Sequence, residues 1–516
     1  MARPITGRSR SGSRSPTGPR PRRTAHGRST RSRAAWRRLA PPGTAEIVRV
    51  AGVVLAAGAG SRFGGAKLLA RIDGAPILAR VVETARAAGL APLIVVVGPD
   101  LEDQAPTLGF ESGELVGNPE PERGLASSVR IGLAAAAAVE PPVDAAVVLL
   151  GDQPLVRTSA VERLIEALER APAPVVAAVP RYTEGGAPNP VVLRRAGFEL
   201  AAETDADRGL GPVLDAHRRM VIEVEVPGRN PDVDTTADLA AVAELAWAER
   251  VRANREQVER LREVADGPDF YANVSATFRD DPDRTGDLVL EALRAHARPD
   301  DIWLDIGAGA GRYALPLARL VREVIALDPS PGMLGALGEG MGEHGIANVR
   351  AVEGRWPEAL DSLGQPPVAD VSLIAHVSYD VEAIGPFLDA MERAARRTCL
   401  AVLMERSPAS LAEAFWPAVH GEPRIALPGL PAFVDLLAAR GREPAVEILE
   451  SRRRTWADRD EVLRNLRRQT WVEPGSRKDR RLQALLDETL VSNEEGTVGL
   501  SNAAPLTVGV ATWQPR

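Results

Sequence analysis

Between residues 48 and 245, short and nearly unbroken apolar runs alternate with longer stretches in which apolar residues recur every three or four positions. VRVAGVVLA, LIVVVG, AAVVLLG and PVVAAVP have the length and β-branched content of strands covered on both faces. PILARVVETARAAG, SSVRIGLAAAAA and SAVERLIEALERA, which lie between them, have the spacing of amphipathic helices. This alternation predicts a three-layer α/β domain with a mainly parallel sheet. A charged helix follows at roughly 239 to 265, expected as a connector whose polar face favours a spacer over a dimer contact.

The same rhythm resumes near 268. IWLDIG, EVIALD, VRAVEG, VSLIAHV, CLAVLM, AVEILE and LTVGVATW read as seven strands, and GDLVLEALRAHA and LPAFVDLLAARG as helices. A second doubly wound α/β/α domain is therefore expected. Helix-forming segments in the Arg-rich stretch 452–481 interrupt it, as a lid would. The expected divisions are a disordered tail over 1–46, a first domain over 47–245, a helical connector over 246–267 and a second domain over 268–516.

Composition narrows the class. The 516 residues are 45% apolar and 26% charged, ordinary for a soluble protein of two or three domains. No apolar run reaches the roughly 20 residues of a membrane span. A single cysteine, Cys399, lies within an apolar strand, which excludes a disulfide framework and points to a reducing compartment, the cytoplasm. Twelve arginines and one acid fall in the first 46 residues, without the apolar core of a secretory signal. Removing that +11 from the net −7 leaves about −18 on the remaining 470 residues, a charge that disfavours nucleic-acid binding by the folded part. The tail reads as a disordered extension, or as the product of a start codon placed too far upstream.

Two glycine-rich turns carry the candidate chemistry. In LAAGAGSRFGGAKLL, Gly58 and Gly60 meet the first two positions of the dinucleotide fingerprint, but Phe63 occupies the third. A Walker loop fails as well, because Lys67 lies between Ala66 and Leu68. What remains is a strand end with small residues, where backbone N–H groups can approach an anion beside Arg62 and Lys67. Of 63 basic residues only Lys67 and Lys478 are lysine, so a lysine in this loop points to a need for a compact ammonium.

The stretch resembles the MobA-like nucleotidyltransferases, most closely the molybdopterin cytidylyltransferase branch, over about residues 50–245. GDQP at 151–154, PRYTEGGAPNPVVL at 180–193 and DVDTTADL at 232–239 match further motifs of that family in order. LAAG and ERGLASSVRIGL at 122–133 resemble its cytidine-using members. The resemblance implies a triphosphate, CTP, held by the backbone of Ala56, Ala57, Gly58, Gly60 and Ser61, with Arg62 and Lys67 as catalytic cations. It implies Mg²⁺ on Asp152 and Asp234, with Asp232 the less favoured alternative, and Asn118, Gly124, Ser127 and Ser128 facing the nucleotide. Molybdopterin is the implied acceptor.

In WLDIGAGAGRYALPLA the glycines are 307, 309 and 311, with Asp305 before them and Asp328 at the next strand end, 17 residues beyond Gly311. This resembles the class I S-adenosylmethionine-dependent methyltransferases over about 268–516. The resemblance implies that Asp305 and the glycines hold the cofactor's aminoacyl end and that Asp328 meets its ribose; an NAD site is the rival. Trp356 stands where it can cover adenine by stacking or fill the core, and both readings are open. His376 and Tyr379 border the expected pocket, and IAHVSYDV departs from the signature of enzymes that methylate adenine or glutamine nitrogens.

A bifunctional transferase is expected. The alternatives are transfer to another phosphorylated cofactor precursor or a sugar phosphate, or a binding-only chaperone or sensor for a molybdenum hydroxylase.

Overall fold

The computed structural model describes residues 49–516, apart from 59, 61, 64–65, 103–107, 111–112, 206–207, 266–274, 451–452 and 494–495. The expected disordered tail and Ser61 lie outside the described residues. The front lobe contains β1 (Val50–Ala56), β2 (Arg71–Ile72), β3 (Ala75–Pro76), β4 (Leu93–Val97), β5 (Leu115–Gly117), β6 (Ala145–Leu150), β7 (Ala177–Tyr182), β8 (Val191–Arg194) and β9 (Val221–Val226). All seven residues of β1 are buried, because helices cover both faces of its sheet and leave no polar alternation in the sequence. The sheet order is β5-β4-β1-β6-β8-β7-β9, and β8 runs antiparallel to both its neighbours. The chain leaves β1 toward β4 on one side and returns to β6 on the other. Their carboxyl ends therefore flank a switch point, where a crevice opens.

The rear lobe adds β10 (Ile302–Ile306), β11 (Glu323–Asp328), β12 (Val349–Glu353), β13 (Ala369–Ala375), β14 (Ala395–Met404), β15 (Ala445–Glu450), β16 (Leu490–Ser492), β17 (Val498–Leu500) and β18 (Thr507–Trp513). Its seven-stranded sheet has the order β12-β11-β10-β13-β14-β18-β15, with β18 antiparallel to β14 and β15. The equivalent switch point lies between β10 and β13. Both lobes are thus mainly parallel α/β sheets with helices, as the apolar rhythm predicts.

The Arg-rich stretch forms helices Arg459–Thr470 and Arg477–Thr489. With Phe415, Leu466, Leu482 and Leu500 they make a small core of their own. Arg467 is spent there on a bidentate pair with the fully buried Asp479, at 2.8 and 2.7 Å.

The connector differs from expectation. Its helix starts earlier, at Thr236, and runs to Leu261, behind a capping box formed by Thr235 and Asp238. It is neither a free spacer nor a bare polar rod. Leu239, Val242, Ala246, Trp247 and Val251 form a buried stripe within one hydrophobic cluster that also takes in Val161 of the front lobe and Phe387 and Phe433 of the rear. Trp247 meets Phe433 edge to face at 6.2 Å and donates its indole N–H to the Val381 carbonyl at 2.9 Å. Farther along, the buried contacts are polar: Gln257 donates to the Pro423 carbonyl (2.8 Å) and accepts from the Ile425 N–H (2.7 Å). Buried amides that pair with a loop backbone look the same in sequence as solvated ones, which is why this face reads as exposed. No helix among the described residues is long and apolar enough to cross a membrane.

Candidate functional site

The first crevice is assembled at the ends of β1 and β6. Gly151 follows β6 and donates its N–H to the Leu55 carbonyl at 2.9 Å; a Cβ there would come within 2.9 Å of that oxygen. Asp152 is thereby delivered to the carboxyl edge, and its carbonyl accepts from the Val233 N–H (3.0 Å), which brings the 230–235 loop alongside. Lys67, at the head of a single 3₁₀ turn, reaches in from the glycine loop. Its Nζ lies 2.7 Å from Asp152 Oδ2 and 3.1 Å from Asp234 Oδ1. Burial works against the ammonium, but Asp152 and then Asp234 outweigh it and hold the Lys67 pKa above the ordinary lysine value.

A third carboxylate stands next to this pair. Burial and the neighbouring Asp152 raise the Asp232 pKa, and the Gln153 amide donates to its Oδ1 at 2.7 Å. Asn230 in turn donates to Gln153 Oε1 at 3.0 Å. Gln153 and Asn230 were not singled out from the sequence. Their signals are positional, one directly after Asp152 and the other two residues before Asp232. Two carboxylate oxygens already converge on one cationic atom, and such hard oxygens suit a divalent cation in the same place.

The other expected residues occupy the same edge. Ala56 and Ala57 are buried at the strand end, Gly58 is exposed, Gly60 is half-buried, and Arg62 is exposed on the turn closed by the Phe63 N–H to the Gly60 carbonyl (2.9 Å). Asn118, Gly124, Ser127 and Ser128 form one cluster. The buried Asn118 amide donates to Ser127 Oγ (2.8 Å) and Ser128 Oγ (3.0 Å), and Ser127 donates to the Gly124 carbonyl at 2.8 Å. Gly124 caps the helix Leu125–Ala137.

The second crevice is built with less charge and more backbone. Gly307 and Gly311 have φ of +76° and +85°; Cβ atoms there would come 2.5 Å from Val377 Cγ2 and 2.4 Å from Leu337 Cδ1. Asp328 accepts from the Gly309 N–H and the Ser330 N–H, each at 2.9 Å, and so couples the loop to β11. Asp305 is buried, and its Oδ1 has no hydrogen-bond partner among the described residues. Burial, and then the Asp328 charge, push its pKa up to about 7. A buried carboxylate oxygen without a donor is suited to the ammonium of an amino-acid-like cofactor.

Trp356 does not join this group. Its indole N–H donates to the Phe387 carbonyl at 3.1 Å and its ring meets Phe387 edge to face at 6.5 Å, so the side chain fills the core beneath helix Ile384–Ala394 instead of covering an adenine. Of the two residues read as bordering the pocket, Tyr379 accepts the Met404 N–H at 2.7 Å and serves the fold. His376 is half-buried, its Nδ1 is buried without a partner among the described residues, and burial, then Arg312, lower its pKa to about 4. Both His376 and Ser378 have positive φ, 58° and 90°, strain that no feature of the sequence announced.

Comparison with known proteins finds a family match in each lobe. Residues 52–221 match the MobA-like NTP transferase domain, and residues 304–398 a methyltransferase domain. The bifunctional protein GlmU of Azorhizobium caulinodans is 43% identical over 115 residues, which is 22% of this chain and 25% of that protein. A probable cobalt-precorrin-6B C(15)-methyltransferase (decarboxylating) of Methanothermobacter thermautotrophicus is 30% identical over 108 residues, 20% of this chain and 55% of that one. The chain therefore spans only a quarter and about half of these relatives' lengths. Among solved structures, Rv0371c from Mycobacterium tuberculosis H37Rv is 30% identical, with 39% of this chain and 100% of that chain covered and a TM-score of 0.35.

Proposed function

We propose that this chain, in which a MobA-like NTP transferase domain is joined to a methyltransferase domain, moves a cytidylyl group from CTP to a phosphorylated acceptor, molybdopterin, and methylates a second acceptor with S-adenosylmethionine. The observation that carries the first activity is Lys67 Nζ held between Asp152 and Asp234 at the carboxyl edge of a mainly parallel sheet. Asp152 and Asp234 would hold a divalent cation, magnesium in this reading, which would supply Lewis acidity at the α-phosphate. The remaining work falls to the chain. An acceptor phosphate oxygen attacks the α-phosphorus, the bond to the α–β bridging oxygen breaks, and pyrophosphate leaves with the electron pair. Lys67, charged throughout, would turn from the carboxylates to the departing phosphates, with Arg62 as the second cation on the loop. Asn118 fixes Ser127 and Ser128 at the first turn of a helix, a rigid edge for the nucleoside.

In the rear lobe the sulfonium supplies an electrophilic methyl group, and the chain supplies alignment and exclusion of water. Asp305 would receive the cofactor's ammonium and Asp328 its ribose hydroxyls, with Gly307 and Gly309 giving room for close approach. The choice of CTP is supported by the LAAG and ERGLASSVRIGL stretches, and molybdopterin by the resemblance of the LAAGAGSRFGGAKLL, GDQP, PRYTEGGAPNPVVL and DVDTTADL motifs to the MobA-like family. Pyrophosphate release from each of the four NTPs, with magnesium and molybdopterin present, tests it. CTP is expected to be turned over fastest. Faster release from GTP removes the cytidylyl assignment, and release that ignores molybdopterin removes the acceptor.

A further inference from the structure

The lysine of the front crevice is attached to the rear lobe. Lys67 opens the turn Lys67–Leu69; the Ala70 N–H donates to the Lys67 carbonyl (3.1 Å), and the Ile77 N–H to the Ala70 carbonyl (2.9 Å). The enclosed segment is a tight hairpin in which Arg71 pairs with Pro76 and Ile72 with Ala75. At its tip Asp73 and Gly74 both have positive φ, 54° and 84°, the geometry for which an Asp-Gly pair is suited. Leu68 of the lysine turn and Ile72 of the hairpin are buried in the same hydrophobic cluster, which packs the turn and the hairpin together.

That tip is held by residues outside the front lobe's sheet. Asp435, on the rear-lobe helix Leu430–Ala439, accepts the Gly74 N–H at 2.8 Å through Oδ2 and pairs with Arg71 Nε at 3.4 Å through Oδ1. Asp73 pairs with Arg250 of the connecting helix, and Arg250 also donates to the Ala426 carbonyl at 2.7 Å and the Leu427 carbonyl at 3.1 Å. Asp435 is buried, which shields the carboxylate end of its bond to Gly74, whereas the Arg71 side chain is exposed and its 3.4 Å pair adds less. The acidic partner of Lys67 is tied to the same helix: the Asp234 N–H donates to Asp238 Oδ2 (3.2 Å) in the cap at its start.

We propose that Asp435, a residue of the methyltransferase lobe, is a positioning residue of the nucleotidyltransferase site, setting the place of Lys67 through the Asp73–Gly74 hairpin. The rear lobe is on this view a structural component of the front active site, which gives the fusion a physical reason. The inference rests on the nucleotidyltransferase reading of the front lobe.

Calorimetric titration of the full chain with CTP and magnesium tests it, in the wild type, Asp435→Ala, Asp435→Asn, Lys67→Ala and the Lys67→Ala/Asp435→Ala double variant. Melting temperature and S-adenosylhomocysteine affinity report whether each variant is folded. Asp435→Ala is expected to weaken CTP binding about tenfold, the size expected when one charge-assisted hydrogen bond is misaligned. Asp435→Asn, which keeps the shape, should fall between it and the wild type. In the Lys67→Ala background, Asp435→Ala should add nothing, because a residue that acts through Lys67 has no effect without it. Wild-type affinity in Asp435→Ala overturns the proposal. So does a loss that adds in full to that of Lys67→Ala, or one that tracks a fall in melting temperature and in S-adenosylhomocysteine affinity. A wild type that binds neither CTP nor any other NTP instead removes the nucleotidyltransferase reading, and the proposal with it.

Discussion

The two crevices have a common scaffold, a central parallel strand running into a glycine loop at a switch point, yet they handle charge in opposite ways. In the front one a cation is brought in against carboxylates, Lys67 against Asp152 and Asp234, and Gly58 and Arg62 are exposed. In the rear one the acids Asp305 and Asp328 are buried, and the glycines are pressed against Val377 and Leu337. A polyanionic ligand needs mobile positive charge and room to close around it. A ligand that brings its own cationic groups needs buried acids and a preformed backbone. The fold supplies the place, and the side chains at the strand ends choose the ligand.

The largest expected effect is Asp152→Asn, which should reduce pyrophosphate release by roughly a thousandfold, the scale of removing a metal-binding or preorganised electrostatic group. Affinity for S-adenosylhomocysteine should not change; if both fall together, the crevices are not chemically separate. Next, Gly311→Ala places a side chain at φ +85° and 2.4 Å from Leu337, whereas Gly58→Ala meets nothing within 4 Å. The first is expected to destabilise the rear lobe by about 2–4 kcal/mol and the second by less than about 0.5 kcal/mol. Denaturant melts of the two variants compare them directly, and equal midpoints would contradict the preformed-versus-open contrast.

A smaller effect is expected from pH. Burial raises the Asp305 pKa to about 7, so below that value the site holds a neutral acid and above it a carboxylate. S-adenosylhomocysteine carries an ammonium, and its affinity should rise by up to about tenfold per pH unit below pH 7 and level off above it. For stability the sign is reversed: the folded chain binds the proton more tightly than the unfolded one, so this group's contribution, full below pH 4, is lost as pH rises through about 7. Asp305→Asn should flatten both profiles; titrations between pH 5.5 and 8.5 that show no slope in the wild type would contradict the role given to Asp305. The smallest effect is expected at Trp356, where Phe should leave S-adenosylhomocysteine affinity within about twofold and cost about 1 kcal/mol of stability. A tenfold loss of affinity would return Trp356 to the cofactor.

Much of this was local and therefore legible. A buried parallel strand has an apolar run whatever it pairs with, and a loop that must pass close to a ligand needs small residues wherever it sits in the chain. The strand run into Gly58 and the run into Asp305 and Gly307 were readable for that reason, as was the expectation of two α/β sheets. Asp152 could be singled out because it ends such a run.

What the chain could not announce were pairings set by distance in space. Lys67 and Asp234 meet across 167 residues, and Gly74 and Asp435 across 361. Trp356 has the same composition around it whether it covers a ligand or packs under a helix; only the placement of Phe387 decides. The connecting helix looked like a polar spacer because Asn254 and Gln257 bury their amides against a loop backbone that lies elsewhere in sequence. The elements and the chemistry available at their ends follow from residues adjacent along the chain. Which of those groups face one another, and that the two lobes share a core, are set only by folding in three dimensions, because burial and electrostatic pairing depend on proximity in space.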